Sequence, residues 1–146
     1  MTHYQTSLRV DAPVDQLWDL VCDSSRLTEW NVEFDEARDA APRLDTVGAG
    51  VTQVKRVAGI QMQGRWEITA IEPHARREFA GSAPGVVFCH GVETYEATDG
   101  STTVTVEFEY RPRWGIVGST LDRLFGRPHL ARSMARNAEN LQKALG

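Results

Sequence analysis

The side chains best suited to moving a proton lie on two adjacent strand-like runs. Asp99-Gly100 between them is a two-residue type I′ turn signal, because that turn needs positive φ at both central positions. It fixes the register: Thr98 faces Ser101, Tyr95 faces Val104, Glu93 faces Val106, Gly91 faces Phe108 and Cys89 faces Tyr110. Val104, Val106, Phe108 and Tyr110 alternate with Thr103, Thr105, Glu107 and Glu109, which marks the first set as the inward face. Glu93, Tyr95 and Tyr110 then share that face and are the candidate catalytic groups. A carboxyl with no partner in an apolar surround is driven toward its neutral form, which suits a general acid or a hydrogen-bond donor to a ligand. Paired with an inward arginine such as Arg65 or Arg56, or set at a wet rim, the same Glu93 would be structural.

Other chemistry is thinly represented. The chain has no P-loop, dinucleotide-binding glycine pattern, zinc spacing or nucleophile elbow. His3, His74, His90 and His129 are scattered, with no pair at metal-ligand spacing, so neither a metal nor a cofactor is expected. Alternation puts His90 on the outward face with Phe88 and Val92. Cys22 and Cys89 have no metal-ligand spacing and are read as reduced thiols.

The elements that must position these groups follow from periodicity. Tyr4 to Val10 is extended, and Pro13 then opens a short helix whose face is Val14, Leu17, Trp18 and Val21. Trp30 closes a second short turn. Val32 to Ala40 alternates loosely, and Gly48 and Gly50 turn the chain into Val51 to Ala58. A turn at Gly59 to Met62 leads into Arg65 to Ile71, which Pro73 ends. Arg77 to Ser82 is a fifth strand, and Pro84-Gly85 turns the chain into the hairpin. Beyond Arg111-Pro112-Arg113 the period becomes helical: Val117, Leu121, Leu124 and Phe125, then Leu130, Met134, Ala138, Leu141 and Leu145, form one stripe. Pro128, after Gly126-Arg127, predicts a kink or a break into two helices. A curved antiparallel sheet with one apolar face needs a cover, and this stripe is the only one long enough.

At 146 residues one domain over 1–146 is expected, with 41% hydrophobic and 25% charged residues typical of a globular chain. No apolar run reaches the roughly 20 residues that span a bilayer, and the N-terminus lacks the pattern of a secretory signal, so a cytoplasmic protein is expected. The net charge of −4 divides into +5 over residues 111–146 and −9 over the rest. This basic end is either a solvated helix face complementing an acidic body or a surface attracted to a peripheral membrane or acidic protein contact. No nucleic-acid motif accompanies it.

Ala12-Pro13 with Leu17-Trp18, Asp23, Trp30, Gly48 with Gly50, Ile71-Glu72-Pro73, Thr102 to Thr105, and Gly118 to Leu124 with Asn140-Leu141 together resemble the polyketide cyclase/dehydrase and lipid-transport family. That family belongs to the START-related, Bet v 1-like SRPBCC superfamily. The resemblance implies an α+β helix-grip fold, about seven antiparallel strands wrapped around a long C-terminal helix, with a hydrophobic ligand cavity between them. Its members include polyketide aromatase/cyclases and quinone and lipid carriers. The leading expectation is binding or carriage of a lipid-like or polycyclic small molecule, by a monomer or homodimer; the alternatives are a cyclase acting on a bound hydrophobic substrate and an adaptor using its basic C-terminal helix. The residues expected to contact the ligand are Trp66, Ile68, Glu93, Tyr95, Val104, Val106, Phe108, Leu121, Leu130 and Met134. Trp18 is expected in the core, Trp30 as a lid or hinge at the cavity mouth, and Trp114 as an anchor for the last helix. The glycines around Pro128 suggest a mobile gate over 114–128.

Overall fold

The structure is a computed structural model that describes residues 2–83, 86–112 and 114–146; the expected turn at Pro84-Gly85 and the residue Arg113 lie outside these. Seven antiparallel strands form one sheet in the order β1-β7-β6-β5-β4-β3-β2. They are β1 (Thr2–Val10), β2 (Glu36–Arg38), β3 (Gly50–Val57), β4 (Ile60–Glu72), β5 (Arg76–Ala83), β6 (Val86–Thr98) and β7 (Ser101–Pro112). Between β1 and β2 lie α1 (Val14–Cys22), a 3-10 turn (Ser24–Arg26) and α2 (Leu27–Trp30). Pro13 stands just before α1, and its carbonyl accepts from the Leu17 amide at 3.1 Å.

The β6–β7 register is the one the Asp99-Gly100 turn dictates, from Thr98↔Ser101 to Cys89↔Tyr110, with φ of 48° and 83° at the two turn residues. A second turn of the same kind joins β3 to β4. Ala58 and Gly59 have φ of 51° and 80°, so β4 begins at Ile60 and the turn expected over Gly59 to Met62 is tighter by two residues. The loosely alternating stretch after Trp30 yields only the three residues of β2.

The chain ends in α3 (Gly115–Leu121) and α4 (Arg127–Leu145), joined without a break by a π-helical turn over Asp122–Gly126. This corrects the expected break at Pro128. The Arg127 amide reaches back five residues to the Asp122 carbonyl, and Pro128 then falls in the first turn of α4, where its missing N–H is tolerated. A second correction concerns the stripe. Met134 and Leu141 are buried, whereas Val117, Leu124 and Phe125 are each more than 60% exposed, so the buried part of the stripe lies on α4.

α4 is seated by side chains that satisfy loop backbone. Asn137 Oδ1 accepts from the Val32 amide at 2.9 Å, Asn140 Nδ2 donates to the Trp30 carbonyl at 3.2 Å, and Gln142 Oε1 accepts from the Asp11 amide at 2.7 Å. The core runs from Val10, Leu17, Trp18 and Val21 across Val104, Val106 and Ile68 to Met134 and Leu141.

Candidate functional site

Between the inner sheet face and α4 lies a cavity of about 480 Å³. Its walls are strand residues pointing inward by alternation: Trp66 and Ile68 from β4, Phe79 from β5, and Val104, Val106 and Phe108 from β7. Leu130 and Met134 face them from α4. Gly91 makes this wall possible. A Cβ there would collide with the Phe79 ring, which instead stands edge-on to Trp66 and Phe108 with centroids 5.5 and 6.0 Å apart.

The deep end is polar and tightly bonded. Arg77, on β5 directly opposite Glu93, is buried and donates through Nε to Glu93 Oε1 at 2.8 Å. Tyr95 donates its hydroxyl to the same oxygen at 2.9 Å. The other end of the guanidinium, Nη1, reaches the carbonyls of Leu44 at 3.2 Å and Val21 at 3.4 Å, tying β5 to α1 and to the loop between β2 and β3. Burial works against the charge on Arg77, but the Glu93 carboxylate outweighs it and the guanidinium is held even more firmly protonated than usual. Burial, reinforced by Glu93, pushes the Tyr95 hydroxyl well above the ordinary phenol range. Burial raises the Cys22 thiol beside this group to about 11 and the Cys89 thiol to about 12, so both are inert thiols rather than nucleophiles.

Glu93 is therefore not an unpartnered carboxyl, and its partner is neither Arg65 nor Arg56. Arg65 lies on the outer face, bonded to the Asp39 carbonyl and Thr52, and Arg56 is exposed near Glu36. Both donors to Glu93 take Oε1, and no described residue bonds Oε2, which is not buried.

Two further polar groups border the cavity, one around Glu33, which strand alternation did not mark, and one at the expected Tyr110, whose partner it did not reveal. Glu33, after α2, accepts from Ser133 and lies 2.8 Å from His129 Nε2, both on α4. Tyr110 donates to the Asp122 carboxylate, 2.8 and 2.9 Å from its two oxygens, at the π-helical turn; burial, then that bond, raises the Tyr110 phenol. Gln53 bridges the wall to the loop, accepting from Trp66 Nε1 at 2.8 Å and donating to the Glu33 carbonyl at 2.7 Å. All ten residues expected at the ligand, and Tyr110, border this cavity. Leu121 does so at its open end, where it is 43% exposed, so the space is a cavity with a mouth rather than a sealed void.

The tryptophans divide differently from expectation. Trp18 is core, edge-on to Tyr95 at 5.1 Å. Trp30, the last residue of α2, is buried in the wall rather than standing at the mouth, and its indole N–H has no partner among the described residues. Trp114 anchors nothing: it is 77% exposed, with φ of 66° at the start of α3. His90 sits on the outer face, 3.2 Å from Glu78.

A curved antiparallel sheet closed by a long helix over an internal cavity is the helix-grip architecture of Bet v 1-like, SRPBCC proteins. The chain belongs to the polyketide cyclase / dehydrase and lipid transport family, whose model matches residues 1–146. Among solved structures it is similar to TTHA0849 from Thermus thermophilus, at 15% identity and TM-score 0.77, covering 99% of this chain and 100% of that one. It is also similar to DynU16, from the dynemicin biosynthetic locus, at 26% identity and TM-score 0.69, covering 98% of this chain and 48% of that one. A third is the di-domain ARO/CYC BexL from the BE-7585A biosynthetic pathway, at 18% identity and TM-score 0.74, covering 97% of this chain and 47% of that one. The chain thus spans about half the length of DynU16 and of BexL. No curated protein matches it in sequence.

Proposed function

We propose that residues 1–146 act as one unit that binds a small hydrophobic molecule between the sheet and α4. The observation that carries this reading is the cavity of about 480 Å³, walled by apolar side chains yet not filled by them. That size lies in the range of about 300–1,000 Å³ usual for small-molecule sites, which combine apolar walls with a few placed polar groups. Here those groups are Glu93 Oε2 at the deep end and the Glu33 and His129 pair at the side, so the fitting ligand is apolar along most of its length with a hydroxyl or similar donor at its inner end.

The likeness to DynU16 and BexL favours a second reading, in which the cavity holds a polyketide chain and Glu93, Tyr95 or Tyr110 transfers a proton. Each of these groups is already bonded to a protein partner, so ligand binding leads.

Val106→Trp tests the reading by filling the cavity from its wall. An apolar fluorescent probe, N-phenyl-1-naphthylamine, is expected to bind the parent protein at one site and the variant at least tenfold more weakly, with far-UV circular dichroism unchanged. Equal affinity for both would show that the probe, and the function, lie elsewhere.

A further inference from the structure

Among the described residues, every exposed large apolar side chain except Val47 lies at one end of the molecule. The strand pairings put the β3–β4 turn, the start of β6, the end of β7 and α3 together there. The most exposed are Ile60 at the β3–β4 turn, Trp114 just before α3, Ile116 and Val117 on α3, and Leu124 and Phe125 on the π-helical turn. Ile116 is 87% exposed and Phe125 67%. This is also the end where the cavity opens, since Trp114 and Leu121 border it and are themselves exposed. Soluble surfaces rarely gather so much apolar area without a use for it.

The charge at this end selects the occupant. Residues 111–127 contain Arg111, Arg113, Arg123 and Arg127 against the single acid Asp122, a balance of +3 on a chain of net charge −4. Asp122 is turned inward to Tyr110 and pairs with Arg127 at 3.9 Å, so the positive excess rests on the other arginines, of which Arg111 and Arg123 are exposed. A second copy of the chain would bring like charge against like. Protruding turns and an exposed indole with arginines around them suit an interface that yields and is negatively charged.

We propose that this end docks on an anionic lipid bilayer, with α3 lying in the headgroup region and the cavity mouth facing the membrane. Docking goes beyond the ligand-binding reading, because Ile116, Leu124 and Phe125 do not line the cavity. A mouth held against the lipid would let an apolar ligand pass between membrane and cavity without crossing water.

The test is sedimentation with vesicles of phosphatidylcholine alone or with about one-third phosphatidylglycerol. Binding is expected only to the anionic vesicles, with release at 0.5 M salt, where screening is several-fold shorter-ranged than at low salt. Arg123→Glu should weaken partitioning by roughly 25-fold, the effect of two unit charges near such a surface. Ile116→Glu with Phe125→Glu should abolish it while leaving uptake of the naphthylamine probe intact, which separates failure of docking from failure of ligand binding. No binding to the anionic vesicles, equal binding to the neutral ones, or a dimer in sedimentation velocity that the double substitution dissolves would each overturn the proposal.

Discussion

Replacing Arg77 with methionine removes one half of the buried pair at the deep end of the cavity while keeping most of the side-chain volume. The Arg77 and Glu93 side chains are 6% and 12% exposed and 2.8 Å apart, so water replaces little of what the cation supplies. The substitution leaves Glu93 with only the Tyr95 hydroxyl and strips a donor from the carbonyls of Val21 and Leu44. Breaking a buried pair from one side costs about 3–5 kcal/mol, a large part of the roughly 5–15 kcal/mol that holds a domain folded. In urea, with a slope of about 2 kcal/mol per molar, the unfolding midpoint should fall by about 2 M. Adding Glu93→Leu removes the stranded carboxylate and should recover more than half of the loss, since the pair stabilises much less than its breakage destabilises. A midpoint shift below about 0.5 M for Arg77→Met, or a double variant as unstable as the sum of the singles, would refute the assignment of Arg77 as the charge partner of Glu93.

Gly91→Val should expel the Phe79 ring from the aromatic wall, because a Cβ there meets that ring. A loss of about 2–4 kcal/mol in stability, with altered near-ultraviolet dichroism from Trp66, is expected, and an unchanged spectrum would contradict the packing. Tyr95 and Tyr110 should resist ionisation in the folded state, since burial and acidic neighbours raise both. With folded values above the unfolded value of about 10, their stabilising contribution is complete below that pH and is lost as pH rises beyond it. Absorbance at 295 nm should therefore show Tyr95 and Tyr110 ionising only as the protein unfolds; their reversible ionisation in the native protein would exclude the burial described.

Local chemistry settled those parts of the fold that depend on neighbouring residues. Asp99-Gly100 set the pairing of eleven strand positions on each side, up to an irregularity between Val86 and Phe88, because a two-residue turn leaves no slack, and period-two alternation then chose which side chains face inward. Pro13 marked the start of α1, and the helical period from Leu130 to Leu145 marked the cover of the sheet. The same alternation brought Glu93, Tyr95, Val104, Val106 and Phe108 to one surface before any tertiary contact was considered.

Only the assembled chain decided what those side chains meet. Arg77 reaches Glu93 through the pairing of β5 with β6, whose register shifts between Gly81 and Ala83 where no local signal marks it, and Glu33 meets His129 and Ser133 across about a hundred residues of sequence. Helical periodicity could not separate the buried half of the C-terminal stripe from the exposed half, because Leu124 and Met134 share a period but only Met134 is buried. Nor could it foresee the wide turn that carries the helix past Pro128. Sequence pattern constrains dihedral angles and the side of an element on which a residue sits; which charge a buried carboxylate finds, and which apolar face is left uncovered, follow from long-range packing that a local pattern does not encode.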